Sequence, residues 1–273
     1  METVIAIQEL ALVCPASADI FQAGNFGAIR TFVEYATAEQ KERFLPDLLS
    51  GRALMALGMS EPEAGSAATQ LTTSAEQDGG EFIINGTKLW STHSSDASIY
   101  LVYVRFGEGF DGIGSVLVER DTPGFTVAKP ESYMSGEQWS ELSFENVRIP
   151  EENVLLGPGG FKKQISGFNV ERLGNSSRAL AVGRHAFNLA VDHAKTREQF
   201  GKTLSEFQGL QWKMAEGAVE LEAAQLLLYK AATVAPGELP TAYDTAVAKH
   251  AANTAGFNAA NAAVQVMGAL GYS

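Results

Sequence analysis

Cysteine is nearly absent from the 273 residues: Cys14 stands alone, so no internal disulfide can form and a reducing compartment is expected. Positive charge is also scarce, with 20 Lys and Arg against 32 Asp and Glu and a net charge of -12. Nucleic acid and anionic membrane both demand a positive surface, so neither is expected as a partner. No apolar run approaches the ~20 residues needed to span a bilayer. The first residues carry Glu2, Gln8 and Glu9 and no basic stretch, which does not fit a secretory signal, and a cytoplasmic protein is expected. The four histidines, His93, His185, His193 and His250, are dispersed without metal-ligand spacing, so no metal is expected. A Gly-x-Gly-x-x-Gly turn after a strand and a Gly-x-Ser-x-Gly elbow are both lacking, which leaves nicotinamide binding and serine hydrolysis without support.

What is present is the composition of a globular protein, 45% hydrophobic and 19% charged, long enough to bury a large core. Its patterning changes twice along the chain. Residues 1–52 read as helical, and Thr37-Ala38-Glu39-Gln40 has the form of a capping box opening a helix that ends near Leu49. Residues 53–157 break into short segments rich in Val, Ile, Phe and Tyr. Asn85-Gly86 between Phe82-Ile83-Ile84 and Thr87-Lys88-Leu89-Trp90 reads as a type I′ hairpin. Strands are expected at 99–104, 113–119, 125–129 and 141–144, in an antiparallel sandwich or barrel. Residues 158–273 return to the helical period. Leu210, Met214, Gly217, Leu221, Ala224, Leu228 and Ala231 form one stripe. Ser205-Glu206-Phe207-Gln208 reads as that helix's capping box and Pro236-Gly237 as its end. An Ala-rich helix follows from about Thr241 to Met267, its small residues favouring a tight bundle. The fold class expected is α+β, with N-terminal helices, a central antiparallel β domain and a C-terminal helical bundle.

Six segments occur in an order that resembles the acyl-CoA dehydrogenase family: Gln40 to Pro46 before Met59-Ser60-Glu61-Pro62-Glu63-Ala64-Gly65-Ser66; Asn85 to Thr92; Pro123-Gly124-Phe125; Phe144 to Pro150; Arg197-Glu198-Gln199-Phe200-Gly201-Lys202; and Gln265 to Tyr272. They cover nearly the whole chain. The sequence departs from the family pattern at Glu63 and Ala269, where glycine is usual, and at Ala67, where aspartate is usual. Against the family's length the chain starts partway through the first helical domain and stops after Tyr272, before the last helices, so part of a longer protein is expected.

The resemblance implies FAD-dependent α,β-dehydrogenation of an acyl-CoA thioester, with a glutamate removing the α-proton and a hydride passing from the β-carbon to flavin N5. It also implies fatty acid metabolism, a homotetramer with FAD at a subunit interface, and electron-transfer flavoprotein as the electron acceptor. Divergence within the family to an oxidase, a reductase or an enzyme releasing a β-substituent stays open, as does a non-catalytic subunit. The candidate base is Glu171, immediately before Arg172, although a glutamate in the missing C-terminal segment is the family's other choice. Read by residue type alone, Glu171 is a solvated helix residue, or one paired with Arg172 or another cation. Ser60, Trp90 and Thr92 match flavin contacts; the same residues also suit a turn cap, core and strand. Ser66 and Arg172 match substrate contacts, Ser66 toward the CoA arm. Arg197, Phe200 and Gln208 match residues reaching the pyrophosphate and adenine from a neighbouring subunit, and Gln265 and Gly268 match the adenosine-side loop. An arginine's planar fork suits phosphate, whereas Gln208 is equally the last residue of the expected Ser205 box.

Overall fold

The computed structural model describes residues 1–235 and 238–273. Among these residues seven α-helices and eleven strands follow in the order helices, strands, helices. They are α1 (Glu2–Val13), α2 (Pro15–Asn25), α3 (Gly27–Tyr35), α4 (Ala38–Leu49), β1 (Met55–Gly58), β2 (Ser74–Asp78), β3 (Glu81–Thr92), β4 (Ile99–Arg105), β5 (Ile113–Glu119), β6 (Phe125–Val127), β7 (Glu131–Ser132), β8 (Gln138–Pro150), β9 (Val154–Leu156), α5 (Phe161–Thr196), β10 (Glu198–Gln199), β11 (Lys202–Thr203), α6 (Gln208–Ala232) and α7 (Ala242–Met267). They form two compact units. Residues Ala23–Gly167 make a sheet unit, and Met1–Gln22 with Phe168–Ser273 make a helical unit.

In the sheet unit one nine-stranded sheet has the order β6-β8-β3-β2-β4-β5-β9, with β1 on β4 and β7 on β8. It is mixed: β4 runs parallel to both β1 and β2, so the antiparallel description holds for the other pairs. The first six residues of β4 and of β5 are buried without alternation, which marks strands covered on both faces. On one face Tyr100, Val102, Val104, Val116 and Val118 pack with Phe125, Leu142 and Phe144. On the other, Tyr103 meets the edge of Phe161 at 6.2 Å. The capping box of α4 forms as expected, Thr37 Oγ1 accepting from Gln40 N at 3.2 Å while Gln40 Oε1 accepts from Thr37 N at 3.0 Å.

The expected hairpin at Asn85-Gly86 does not form. Chain reversal falls instead at Gly79-Gly80, between Asp78 and its partner Glu81, and β3 runs straight through Asn85 with a bulge between Ile84 and Gly86. Asn85 Oδ1 accepts from Asn146 N at 2.8 Å, so its polar side chain closes a cross-strand contact rather than a turn. Gly86 has φ +147, and a Cβ there would sit 2.7 Å from Thr73 Cα. Glycine is required by close approach, not by reversal.

In the helical unit the stripe expected on α6 is the buried one, with Gly217, Leu221, Ala224, Leu228 and Ala231 all inside. The expected box at Ser205 is replaced by another one residue pair earlier: Thr203 and Glu206 cap a short 3-10 turn over 204–206. The helix then starts at Gln208 behind Phe207, with no side-chain cap. It ends at Ala232, and Pro236-Gly237 lies outside the described residues. α7 opens on Thr241, whose side chain accepts from Asp244 N at 3.0 Å. Gly183 on α5 and Gly256 on α7 bring backbones together, since a Cβ on Gly183 would lie 2.5 Å from Gly256 Cα.

Candidate active site

Candidate residues fall in both units. In the sheet unit, Lys88 and Ser91 of β3 face Leu142 and Ser140 of β8, leaving two residues of β3 opposite one of β8. This bulge throws Trp90 into the left-handed region at φ +61. A bulky side chain there costs about 1 kcal/mol or more, and the indole is 53% exposed rather than packed away. It packs against Trp139 at 4.1 Å with the rings tilted by 45°, and lies near-parallel to Tyr133 at 6.5 Å. Ser60 is joined to the same bulge, its carbonyl accepting from Leu89 N at 2.8 Å, and Thr92 follows two residues beyond the indole, opposite Trp139. Both hydroxyl residues are partly exposed. The three rings, flanked by two hydroxyls, make a surface that a flat, polar-edged aromatic ring system fits.

Beneath it lies a network that the sequence reading missed. Glu61, beside Ser60, accepts from Lys88 Nζ at 2.7 Å, from Thr73 N and Oγ1 at 2.9 and 2.6 Å, and from Thr72 N and Oγ1 at 2.6 and 2.8 Å. Lys88 and Glu61 are almost wholly buried. Burial alone would push the Glu61 carboxyl up, but the Lys88 charge and the hydrogen bonds outweigh it and hold it at about 2. Burial pushes the Lys88 ammonium down to about 8 against the pull of Glu61. The pair is charged at neutral pH and ties the Ser60 loop to β3. Ser66 stands exposed farther along that loop, as do Glu63 and Ala67.

In the helical unit, Glu171 is not paired with Arg172. The Arg172 guanidinium donates to Asn169 Oδ1 at 2.7 Å, and Asn169 Nδ2 donates to the Pro240 carbonyl at 3.1 Å. Glu171 Oε1 instead accepts from Gln22 Nε2 at 2.6 Å and from Asn175 Nδ2 at 3.4 Å. Asn175 was legible in principle from its spacing of four on one helix. Gln22, 149 residues away, carries no sequence signal.

Arg197, Phe200 and Gln208 cluster at one end of the helical unit. Phe200 and Gly201, both at positive φ, turn the β10–β11 hairpin, and Phe200 is 95% exposed. Arg197 and Gln208 are exposed on either side of it. Ala194 packs with Val266, Leu204 and Met267, which brings the exposed Gln265 and Gly268 to the same end. Exposed cation, amides and ring suit an anionic, aromatic-tipped group such as a dinucleotide. Among the described residues no helix is long and apolar enough to cross a membrane, and no three His, Cys, Asp or Glu side chains group as metal ligands.

Three family models match in chain order: acyl-CoA dehydrogenase N-terminal domain over residues 1–52, middle domain over 56–147 and C-terminal domain over 158–273. The chain is 37% identical to the 3-sulfinopropanoyl-CoA desulfinase of Paraburkholderia xenovorans over 99% of its own length and 71% of that relative. It superposes on butyryl-CoA dehydrogenase of Megasphaera elsdenii with a TM-score of 0.93 at 34% identity, covering 99% of this chain and 72% of that one. A glutaryl-CoA dehydrogenase of Mycobacterium smegmatis, solved in complex with FADH2, gives a TM-score of 0.91 at 28% identity, with 99% and 70% covered.

Proposed function

Since the chain belongs to the acyl-CoA dehydrogenase family, a family of FAD oxidoreductases acting on acyl-CoA thioesters, we propose that Glu171 removes the α-proton of the bound thioester as the β-hydrogen leaves as hydride. FAD, when bound, supplies the hydride acceptor at flavin N5. The observation that carries this reading is the setting of Glu171: a carboxylate held in the helical unit by the neutral amides of Gln22 and Asn175, while Arg172 is engaged with Asn169. These amides fix the direction of Oε1 on α5.

The remaining residues bind and orient. The Trp90, Trp139 and Tyr133 rings offer the flavin an apolar face, and the Ser60 and Thr92 hydroxyls donate to its polar edge. Ser66 meets the CoA arm, and Arg172, steadied by Asn169, lies beside the acyl thioester. Arg197, Phe200, Gln208, Gln265 and Gly268 take the pyrophosphate and adenosine of a cofactor bound mainly by another subunit, in a homotetramer. Electron-transfer flavoprotein then collects the electrons, in fatty acid metabolism in the cytoplasm. Residues 1–52, 53–157 and 158–273 act as the three domains of this arrangement.

Anaerobic mixing of the FAD-loaded protein with saturated acyl-CoAs tests the reading: the flavin bleaches and the enoyl-CoA accumulates in equal amount. A second reading, release of a β-substituent, is favoured by the likeness to the desulfinase. It predicts loss of the sulfinate group from 3-sulfinopropanoyl-CoA with no bleaching by saturated acyl-CoAs.

A further inference from the structure

The bulge that throws Trp90 outward is tied down on both sides. Before it, Lys88 Nζ donates to the Met59 carbonyl at 3.2 Å and to Glu61 Oε1 at 2.7 Å, and Leu89 N donates to the Ser60 carbonyl at 2.8 Å. After it, Ser91 Oγ donates to the Leu57 carbonyl at 2.9 Å. These four bonds join residues 88–91 of β3 to residues 57–61. A Cβ on Gly58 would lie 3.3 Å from both Lys88 Cγ and Leu142 Cδ1, so the lysine stem is also closely walled in. A bulky residue keeps a left-handed backbone only where its surroundings over-determine it, and at Trp90, with φ +61, these bonds are the surroundings. The charged pair stands out among them, because the Lys88 and Glu61 side chains are 0% and 4% exposed. A buried ion pair adds little net stability over well-packed apolar side chains. What it supplies is direction: the ammonium has to meet its carboxylate, and that carboxylate is itself fixed by the backbone N–H groups and hydroxyls of Thr72 and Thr73.

We propose that Lys88 and Glu61 are positioning residues for the cofactor surface: the pair locks the Ser60 loop onto β3 and so keeps Trp90 in its strained, outward pose against Trp139. The proposal rests on the reading of that surface as the flavin's seat. Both groups are buried and act through the backbone they fix. With the pair cut, the bulge relaxes out of the left-handed region and the indole leaves Trp139. Each binding event then has to rebuild the surface, and the lost preorganisation is read as weaker FAD binding.

Lys88→Met removes the ammonium and keeps the stem. Leu117→Ala truncates a buried side chain of β5 and is the control for lost stability alone. Two readouts are taken at a temperature where parent and variants are folded. One is the circular dichroism of the FAD-free protein, in which indoles 4.1 Å apart give an exciton couplet, calibrated by its loss in Trp90→Ala. The other is the dissociation constant for FAD by titration. In Lys88→Met the couplet is expected to fall by about half or more and the dissociation constant to rise about tenfold. Leu117→Ala keeps the couplet and binds FAD within about twofold of the parent. A parental couplet in Lys88→Met, or a loss of FAD affinity no greater than that of Leu117→Ala, overturns the proposal. Should Lys88→Met fail to fold, Glu61→Gln keeps the size and cuts the charge, and must move both readouts the same way by less; parental values there overturn the proposal equally. Trp90→Ala in the FAD titration separates the two ideas. Weak binding by Trp90→Ala beside parental binding by Lys88→Met sinks the positioning role alone, whereas parental binding by Trp90→Ala sinks the flavin surface and this proposal with it.

Discussion

Two glutamates, one in each unit, are held by different kinds of donor. Glu61 in the sheet unit is saturated: a buried ammonium, two backbone N–H groups and two threonine hydroxyls occupy its oxygens. Held near 2, it is a poor base at neutral pH. Glu171 in the helical unit takes its bonds at Oε1 from two side-chain amides. Charge saturation suits a structural role for Glu61, whereas the role proposed for Glu171 is to move a proton.

The sharpest way to break the comparison is to remove the cation from Glu61. Lys88→Met leaves a buried carboxylate without its counter-ion, and losing one partner of a buried pair costs about 3–5 kcal/mol. Urea unfolding of the FAD-free protein measures it. The acid limb carries the sign: a carboxyl whose folded pKa lies near 2, against 4.5 when free, contributes stability that is complete above about 4.5 and lost as pH falls toward 2. The gap in stability between parent and Glu61→Gln should therefore shrink over that range. A gap that stays constant would mean that Glu61 is not held as a carboxylate.

Next in size is the change at the other glutamate. Glu171→Gln keeps the size but removes the proposed base, so FAD and acyl-CoA should still bind while flavin reduction slows by at least ~10²-fold. Anaerobic single-turnover mixing separates binding from chemistry. If the same substitution instead lowers stability by several kcal/mol and leaves reduction within a few-fold of the parent, the two glutamates have been assigned the wrong way round.

The sequence spoke unevenly about these two regions. Periodicity placed α6 and α7 and the strands at 99–104 and 113–119, because burial on a stripe or run leaves its imprint locally. It misplaced the hairpin, since Asn85-Gly86 and Gly79-Gly80 carry the same turn chemistry and only the contact with Thr73 tells them apart. The box at Ser205 failed for a similar reason: Thr203 and Glu206 have the same spacing two residues earlier. Motif resemblance pointed to Ser60, Trp90 and Glu171, yet the partners that define their settings were hidden. Lys88 sat inside a motif, read there as strand, and Gln22 lies 149 residues from Glu171. Pairing at such separation is a property of the fold, not of any window of sequence.

A smaller effect is expected where charge is exposed. Arg197 projects into solvent at the end of the helical unit, and its proposed partner is a phosphate rather than a buried carboxylate. Arg197→Glu should leave folding untouched and raise the dissociation constant for FAD by about tenfold or more, a charge-assisted bond being replaced by repulsion. The increase should fade at high salt. Unchanged FAD affinity at low salt would remove Arg197 from the cofactor site.

The smallest expected change isolates strain from contact at Trp90. In the left-handed region at φ +61, tryptophan pays a backbone cost of about 1 kcal/mol that asparagine largely escapes. Replacing it also forfeits the tilted ring contact with Trp139 at 4.1 Å, worth about 0.5–1.5 kcal/mol. Trp90→Asn therefore relieves strain and loses packing together, and the stability of the FAD-free protein should move by less than ~1 kcal/mol. Trp90→Ala loses the same ring without the relief, so it should melt below Trp90→Asn. If the flavin packs on the indole as proposed, both variants lack the same ring and should hold FAD more weakly, to the same degree. Equal melting temperatures for the two would show that the bulge relaxes once the indole is gone. Parental FAD affinity in either would return Trp90 to the ordinary surface of the sheet unit.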